Sequence, residues 1–210
     1  MMLWKFTKPP VNKKARNWLT WICSAFMGET TKATTRRVRE RFFEKYCRGR
    51  GLDIGPDNDP ITPYVKTWTW DDGDAVYMKG VPDESYDFVY SSHVLEDVDR
   101  SKITIALRNW WRLVVRGGYL IICVPHRDLY EKKTTLPSRW NAGHKVFWLM
   151  ERNERPDTYG ILPMIRASLT DYDLLRAVVC DDGYIPTTPE EHSEGEYSIE
   201  VVLRKQRKTW

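Results

Sequence analysis

Cysteine is scarce in this sequence. Cys23, Cys47, Cys123 and Cys180 stand far apart in 210 residues, and no two have CxxC spacing. That excludes a zinc finger or ribbon and a dithiol redox motif, so no metal is expected. Cys123 lies inside an apolar run and reads as a small buried hydrophobe. Nothing calls for an oxidising compartment, and a cytoplasmic location is the expectation. Long apolar runs are also missing, so no transmembrane segment is expected. The stretch 18–27 follows Lys13, Lys14 and Arg16 and has the outline of a signal peptide. It is short, carries two Trp and is interrupted by Thr20 and Ser24, so it reads as a helix resting on the body or on a surface. No GxGxxG follows a strand pattern, which disfavours a dinucleotide dehydrogenase, and no internal repeat is visible.

What is present is charge asymmetry and tryptophan. Residues 1–50 hold thirteen Lys/Arg against three acids, while the remainder holds twenty basic and twenty-six acidic residues. A basic arm over residues 1–30 is expected ahead of one globular body, 31–210. Such an arm could meet nucleic acid or anionic lipid, but its residues form no known nucleic-acid motif, and a solvated helix face is the simpler reading. Of the ten Trp, six fall at Trp68/Trp70, Trp110/Trp111, Trp140 and Trp148, which suits core and rim packing.

The apolar pattern alternates between helix and strand. Residues 34–47 suggest a helix with Val38, Phe42 and Tyr46 inward and Arg36, Arg37, Arg39 and Arg41 outward. Leu52 to Gly55 is a short strand entering a turn-rich stretch, and Val65–Trp70 and Tyr86–Tyr90 are further strands. A strong helix is expected over Ser101–Val115, closed by Gly117 and Gly118, followed by the buried strand Tyr119–Val124. Periodicity fades between 127 and 168, where a lid or insertion is expected. Residues 170–179 suggest a helix, and Tyr197–Leu203 an antiparallel last strand at or near the edge. This is the pattern of a Rossmann-like, doubly wound α/β fold.

Such sheets bind ligands outside the carboxyl ends of their strands, which directs attention to Gly51-Leu52-Asp53-Ile54-Gly55. Here the sequence resembles the class I S-adenosylmethionine-dependent methyltransferases, in particular their small-molecule branch. The segment Tyr86-Asp87-Phe88-Val89-Tyr90-Ser91-Ser92-His93-Val94-Leu95-Glu96 is similar to the family's fourth strand and following loop, and Arg112-Leu113 to Leu120 to the helix and glycine pair before its fifth strand. The resemblance covers roughly residues 36–130. It implies a mostly parallel seven-stranded sheet with an antiparallel last strand, and S-adenosylmethionine as cofactor. It further implies cofactor contacts from Gly51, Asp53, Gly55 and Asp57 at the turn, from Asp71 or Asp72 at the ribose, from Asp74 and Ala75 at the adenine, and from Ser91 and His93 after the fourth strand. The family's turn usually has glycine where this chain has Asp57, which puts a negative charge near a methionine carboxylate.

Methyl transfer needs alignment of donor and acceptor, and a base only where the acceptor is a hydroxyl or protonated amine. His93, His126 and His144 lie in loops on the expected ligand side, with His144 the first candidate base and His126 the second. Arg127, Arg139 and Lys145 could bind an anionic acceptor, and Trp140 and Trp148 could line its pocket. The expected reaction is methyl transfer to oxygen or nitrogen of a small-molecule or glycan-like acceptor. The alternatives are an inactive binding or scaffold module, and a nucleic-acid methyltransferase using the basic arm.

Overall fold

Two sheet faces are already visible in the alternation of the strands. Leu52 and Ile54 turn to one face and Gly51 and Asp53 to the other, and the same alternation separates Val89 from Phe88 and Tyr90. The computed structural model describes residues 29–207. The expected basic arm and the helix suggested by 18–27 lie outside these residues, apart from the arm's last two positions. Helix α1 (Glu29–Arg39) and the short α2 (Phe42–Tyr46) precede strand β1 (Gly51–Ile54). They are one helix in the sequence pattern, but Arg41 takes a left-handed backbone (φ 55°) and breaks it. The break turns Phe42 fully inward, while Val38, expected inside, is 56% exposed.

β2 (Lys66–Trp68) and β3 (Tyr86–Ser92) follow, and then helix α3 (Ile103–Leu113) leads directly into the long strand β4 (Val114–Pro125). Residues 127–168 form a π-turn (Arg127–Glu131), strands β5 (Phe147–Leu149) and β6 (Thr158–Gly160) paired in parallel, and helix α4 (Ile161–Ser168). Strands β7 (Tyr172–Cys180) and β8 (Ser198–Lys205) close the chain.

The main sheet has order β2-β1-β3-β4-β8-β7. The first four strands are parallel, and β8 runs antiparallel to both β4 and β7. The Rossmann-like reading therefore holds, with six strands in the main sheet rather than seven. One further correction concerns its far end. Residues 170–179 are strand, not helix, because β8 offers a ladder running from Tyr172 to Cys180, and such pairing overrides a weak helical period. The antiparallel last strand lies one strand in from the edge, within the placement at or near the edge that the sequence suggests.

The larger core packs α3 and α4 against one face through Leu107, Trp110, Leu113 and Ile165. The smaller core packs Phe42 and Ile61 on Phe88, Tyr90, Ile121 and Val202. Parallel neighbours usually need a helical crossover. Here β1 and β2 are joined by residues 55–65 without a helix, so the carboxyl end of β1 opens into a loop.

Buried charge ties α1 to the sheet. Arg36 donates from Nε to Glu196 (2.9 Å) and from Nη1 to Glu200 (3.0 Å), and Arg37 Nε donates to Glu200 (2.9 Å). Arg36 and Arg37 are therefore inside, contrary to the solvent-facing role that their helical spacing suggests.

Candidate functional site

Asp53 lies beneath the carboxyl end of β1, two residues before the turn at Gly55, and lines neither of the cavities described below. It is fully buried on the face that carries Arg37 and Ile61, and its Oδ2 accepts from the Ile61 amide (2.7 Å). Its Oδ1 is buried and accepts from no described residue. Burial pushes the carboxyl up to about 7, opposed by the Ile61 amide and the charge of Arg37. An unsatisfied buried acceptor costs about 1–3 kcal/mol, so an oxygen held this way at the end of a strand marks a place for a ligand donor.

The turn beyond Asp53 approaches its neighbours closely. Gly55 has φ +68°, and a Cβ there would come within 2.6 Å of Val94. Asp57 also adopts a left-handed conformation (φ 46°), one that glycine takes without cost. Two cavities meet at this turn and share Gly55, Asp57 and His93. One, of about 220 Å³, is bounded by Ala33, Thr34 and Arg37 of α1, by Asp59 to Ile61, and by Tyr90, Ser92 and Ser198. The other, of about 300 Å³, is walled by Trp68, Trp70, Ala75, Val76, Val94 and Val98, with Asp74, Asp97, Asp99, Lys102 and Lys145. An aromatic and aliphatic wall with a few polar groups is the common make-up of a small-molecule site.

The structure sorts the predicted residues. Gly55, Asp57 and His93 line both cavities, and Asp74 and Ala75 line the larger one. The Oδ1 of Asp74 accepts from the Val76 amide (2.7 Å), and the Ala75 carbonyl accepts from Trp110 Nε1 (2.8 Å). Gly51 stands at the far end of β1, where a Cβ would lie 2.0 Å from the Phe88 ring, so its smallness serves packing. Asp71 and Asp72 do not line either cavity, and Asp72 caps its own turn by accepting from Thr69 N (2.9 Å). Ser91 is buried within β3, whereas its neighbour Ser92 reaches the smaller cavity.

The histidines separate in the same way. His126 is half-buried beside Trp148; its Nδ1 is buried without a hydrogen-bond partner among described residues, and burial lowers its pKa. His144 is buried between two carboxyls, with Nδ1 at 2.5 Å from Glu131 Oε1 and Nε2 at 3.9 Å from Glu96 Oε1. Ser138 Oγ donates to the other oxygen of Glu131 (2.6 Å). Glu96 is fully buried with both oxygens unbonded, and burial pushes its carboxyl up to about 8 against the charge of His93. Among the expected anion binders, Arg127 is buried and paired with Asp128 and Glu154, and Arg139 reaches Glu190 (3.4 Å). Trp148 is core, and Trp140 Nε1 donates to the Tyr130 carbonyl (3.0 Å).

Sequence reasoning missed Arg37, Glu96, Glu131 and Ser198. Glu96 stood inside the recognised motif, but nothing local announces that it is buried. Ser198 starts an antiparallel strand more than a hundred residues from His93, whose Nε2 lies 3.0 Å from its Oγ.

A mostly parallel sheet with a polar crevice above the carboxyl ends of its central strands defines a doubly wound ligand-binding domain. The family model described as a methyltransferase domain matches residues 33–122. The match spans 90 of the 210 residues, and over that stretch the chain is similar to a methyltransferase domain. No curated protein matches. Among solved structures, a putative methyltransferase from Bacillus halodurans shares the fold (TM-score 0.50, 13% identity, 80% of this chain and 98% of that one). A SAM-dependent methyltransferase from Archaeoglobus fulgidus aligns at TM-score 0.48 and 15% identity over 82% of this chain and 94% of its own. A possible histamine N-methyltransferase from Thermotoga maritima aligns at TM-score 0.48 and 17% identity over 92% and 96%.

Proposed function

We propose that this chain transfers a methyl group from S-adenosylmethionine to nitrogen or oxygen of a small or glycan-like acceptor, at the place where the two cavities meet. One observation carries the reading. Gly55, Asp57 and His93 form the wall that the two cavities share, at the carboxyl ends of β1 and β3, and the unsatisfied Oδ1 of Asp53 lies buried two residues behind Gly55.

The residues present fit the cofactor's chemistry. Asp53 offers an acceptor to its amino group, and Trp68, Ala75, Val76 and Val94 offer an apolar slot to a purine. Asp74 supplies a carboxylate to the same slot. Arg37 supplies positive charge to a carboxylate in the smaller cavity, although Glu200 takes part of it. The cofactor, when bound, supplies a methyl carbon on a positively charged sulfur. The protein's task is to bring an acceptor in line with that carbon and to exclude water.

Titration calorimetry with S-adenosylhomocysteine tests this reading. Saturable heat at micromolar ligand is the expected result, and none up to millimolar ligand in folded protein would sink it. A binding module without catalysis is the second reading, favoured by the Asp57 backbone and by Asp71 and Asp72 standing outside the cavities. It predicts that silent titration. A nucleic-acid acceptor would be met by the basic arm of residues 1–30, nearly all of which lies outside the described residues.

A further inference from the structure

We propose that His93 takes the acceptor's proton ahead of transfer, and that the acceptor is an amine. The inference rests on the methyl-transfer reading above. His144 and His126 are poorly placed for the task. Both ring nitrogens of His144 lie against buried carboxyls, and His126 lines neither cavity.

His93 stands at the end of β3, in the wall that both cavities share. Its backbone is left-handed (φ 54°), which is uncommon for a histidine and is maintained where the surroundings enforce it. Ser198 of β8 holds its Nε2 at 3.0 Å, so two strands of opposite direction fix the ring. Among the groups acting on it are the Ser198 hydroxyl, the Tyr197 ring at 6.3 Å, and the carboxyls of Glu96 and Asp97 in the turn that follows.

The charge of the walls selects the acceptor. Lys102 and Lys145 both pair with Asp99, at 3.3 and 3.4 Å, and Arg37 pairs with Glu200. The two lysines share the one carboxylate of Asp99, and Asp57, Asp74 and Asp97 bring the acids of the larger cavity to four against two lysines. Such a lining attracts a cation and repels a carboxylate or phosphate. The bound ammonium first gives one N–H proton to the imidazole of His93, which frees the nitrogen's lone pair; that pair then forms the bond to the methyl carbon as the carbon–sulfur bond breaks and leaves its pair on sulfur.

An adenosine bearing a 5′-aziridine in place of the sulfonium tests the assignment on the full chain. A nucleophile at the methyl position opens its ring: a carbon–nitrogen bond forms to the nucleophile, the ring's own bond breaks, and the freed nitrogen takes a proton from solvent. Peptide mass spectrometry is expected to find one adduct, on His93. In protein that binds S-adenosylhomocysteine, an adduct on Asp57, Asp97, His126 or His144, or none at all, overturns the assignment of the base. Propylammonium is expected to protect His93 from alkylation at least fivefold better than propionate. Protection by propionate, or by neither, overturns the amine. A protein that gives no heat with S-adenosylhomocysteine removes both readings at once.

Discussion

Single residues at the end of β1 show how one position can serve packing and the next chemistry. Gly51 and Asp53 face the same side of the sheet, yet Gly51 lies under the Phe88 ring and Asp53 beneath the turn at Gly55. Gly51→Ala forces a methyl into the ring's space, and overpacking of this kind costs about 1–3 kcal/mol. Urea denaturation is expected to show that loss, with cofactor affinity retained in the folded fraction. Asp57 makes the opposite case. Its left-handed backbone suits glycine, and its carboxylate borders both cavities. Asp57→Gly is expected to tighten S-adenosylhomocysteine binding by about tenfold, or ~1.4 kcal/mol, through relief of repulsion with the ligand carboxylate. Calorimetry showing weaker binding in the variant would count against this account of the turn.

At the scale of elements, what holds α1 is charge rather than an apolar stripe. Glu200 is fully buried at mid-strand in β8 and receives Arg36, Arg37 and Arg176. Burial alone would raise its carboxyl, but Arg37 and Arg36 outweigh that and hold it at about 2. Removing one partner of such a cluster leaves buried charge uncompensated, at about 3–5 kcal/mol. Glu200→Gln is therefore expected to lower stability by that amount in chemical denaturation, far more than Glu190→Gln at the exposed Arg139 pair.

The same elements show what the sequence could disclose. Strands β1, β3 and β4, helix α3 and the motif around His93 were legible because each is specified locally, by an unbroken apolar run or a helical stripe, although Gly117 and Gly118, expected to close the helix, lie inside β4. The burial of Arg36 and Arg37 was not, because their partners are about 160 residues away. β7 was mistaken for helix because Leu174, Leu175, Val178 and Val179 fit a helical spacing, and only the presence of β8 decides for strand. Of the candidate site, Asp53, Gly55, Asp57 and His93 could be found from their place after strands, whereas Ser198 reaches His93 only through the fold.

The whole molecule combines these buried acids into one pH dependence. Asp53 and Glu96 are raised from 3.8 and 4.5 to about 7 and about 8, so they are neutral in the folded chain where the unfolded chain has already ionised. Folding takes up protons in that window, and each such group lowers stability as pH rises from its unfolded value to its folded one. Glu200 acts with the opposite sign: its contribution is full above 4.5 and is lost as pH falls toward 2. His126, whose pKa burial lowers, removes some stability below 6.5 and partly offsets the acids there. With two strongly raised acids against one histidine, stability should peak at mildly acidic pH and decline toward pH 8. Urea titrations across pH 4 to 8.5 are expected to show that decline. The Asp53→Asn and Glu96→Gln double variant should flatten it by a few kcal/mol, since each tenfold difference in proton affinity between folded and unfolded chain is worth about 1.4 kcal/mol. A wild-type curve that instead rises from pH 5 to 8 would mean that both carboxyls are ionised in the folded chain. Asp53 would then carry a full negative charge buried just beneath the turn at Gly55.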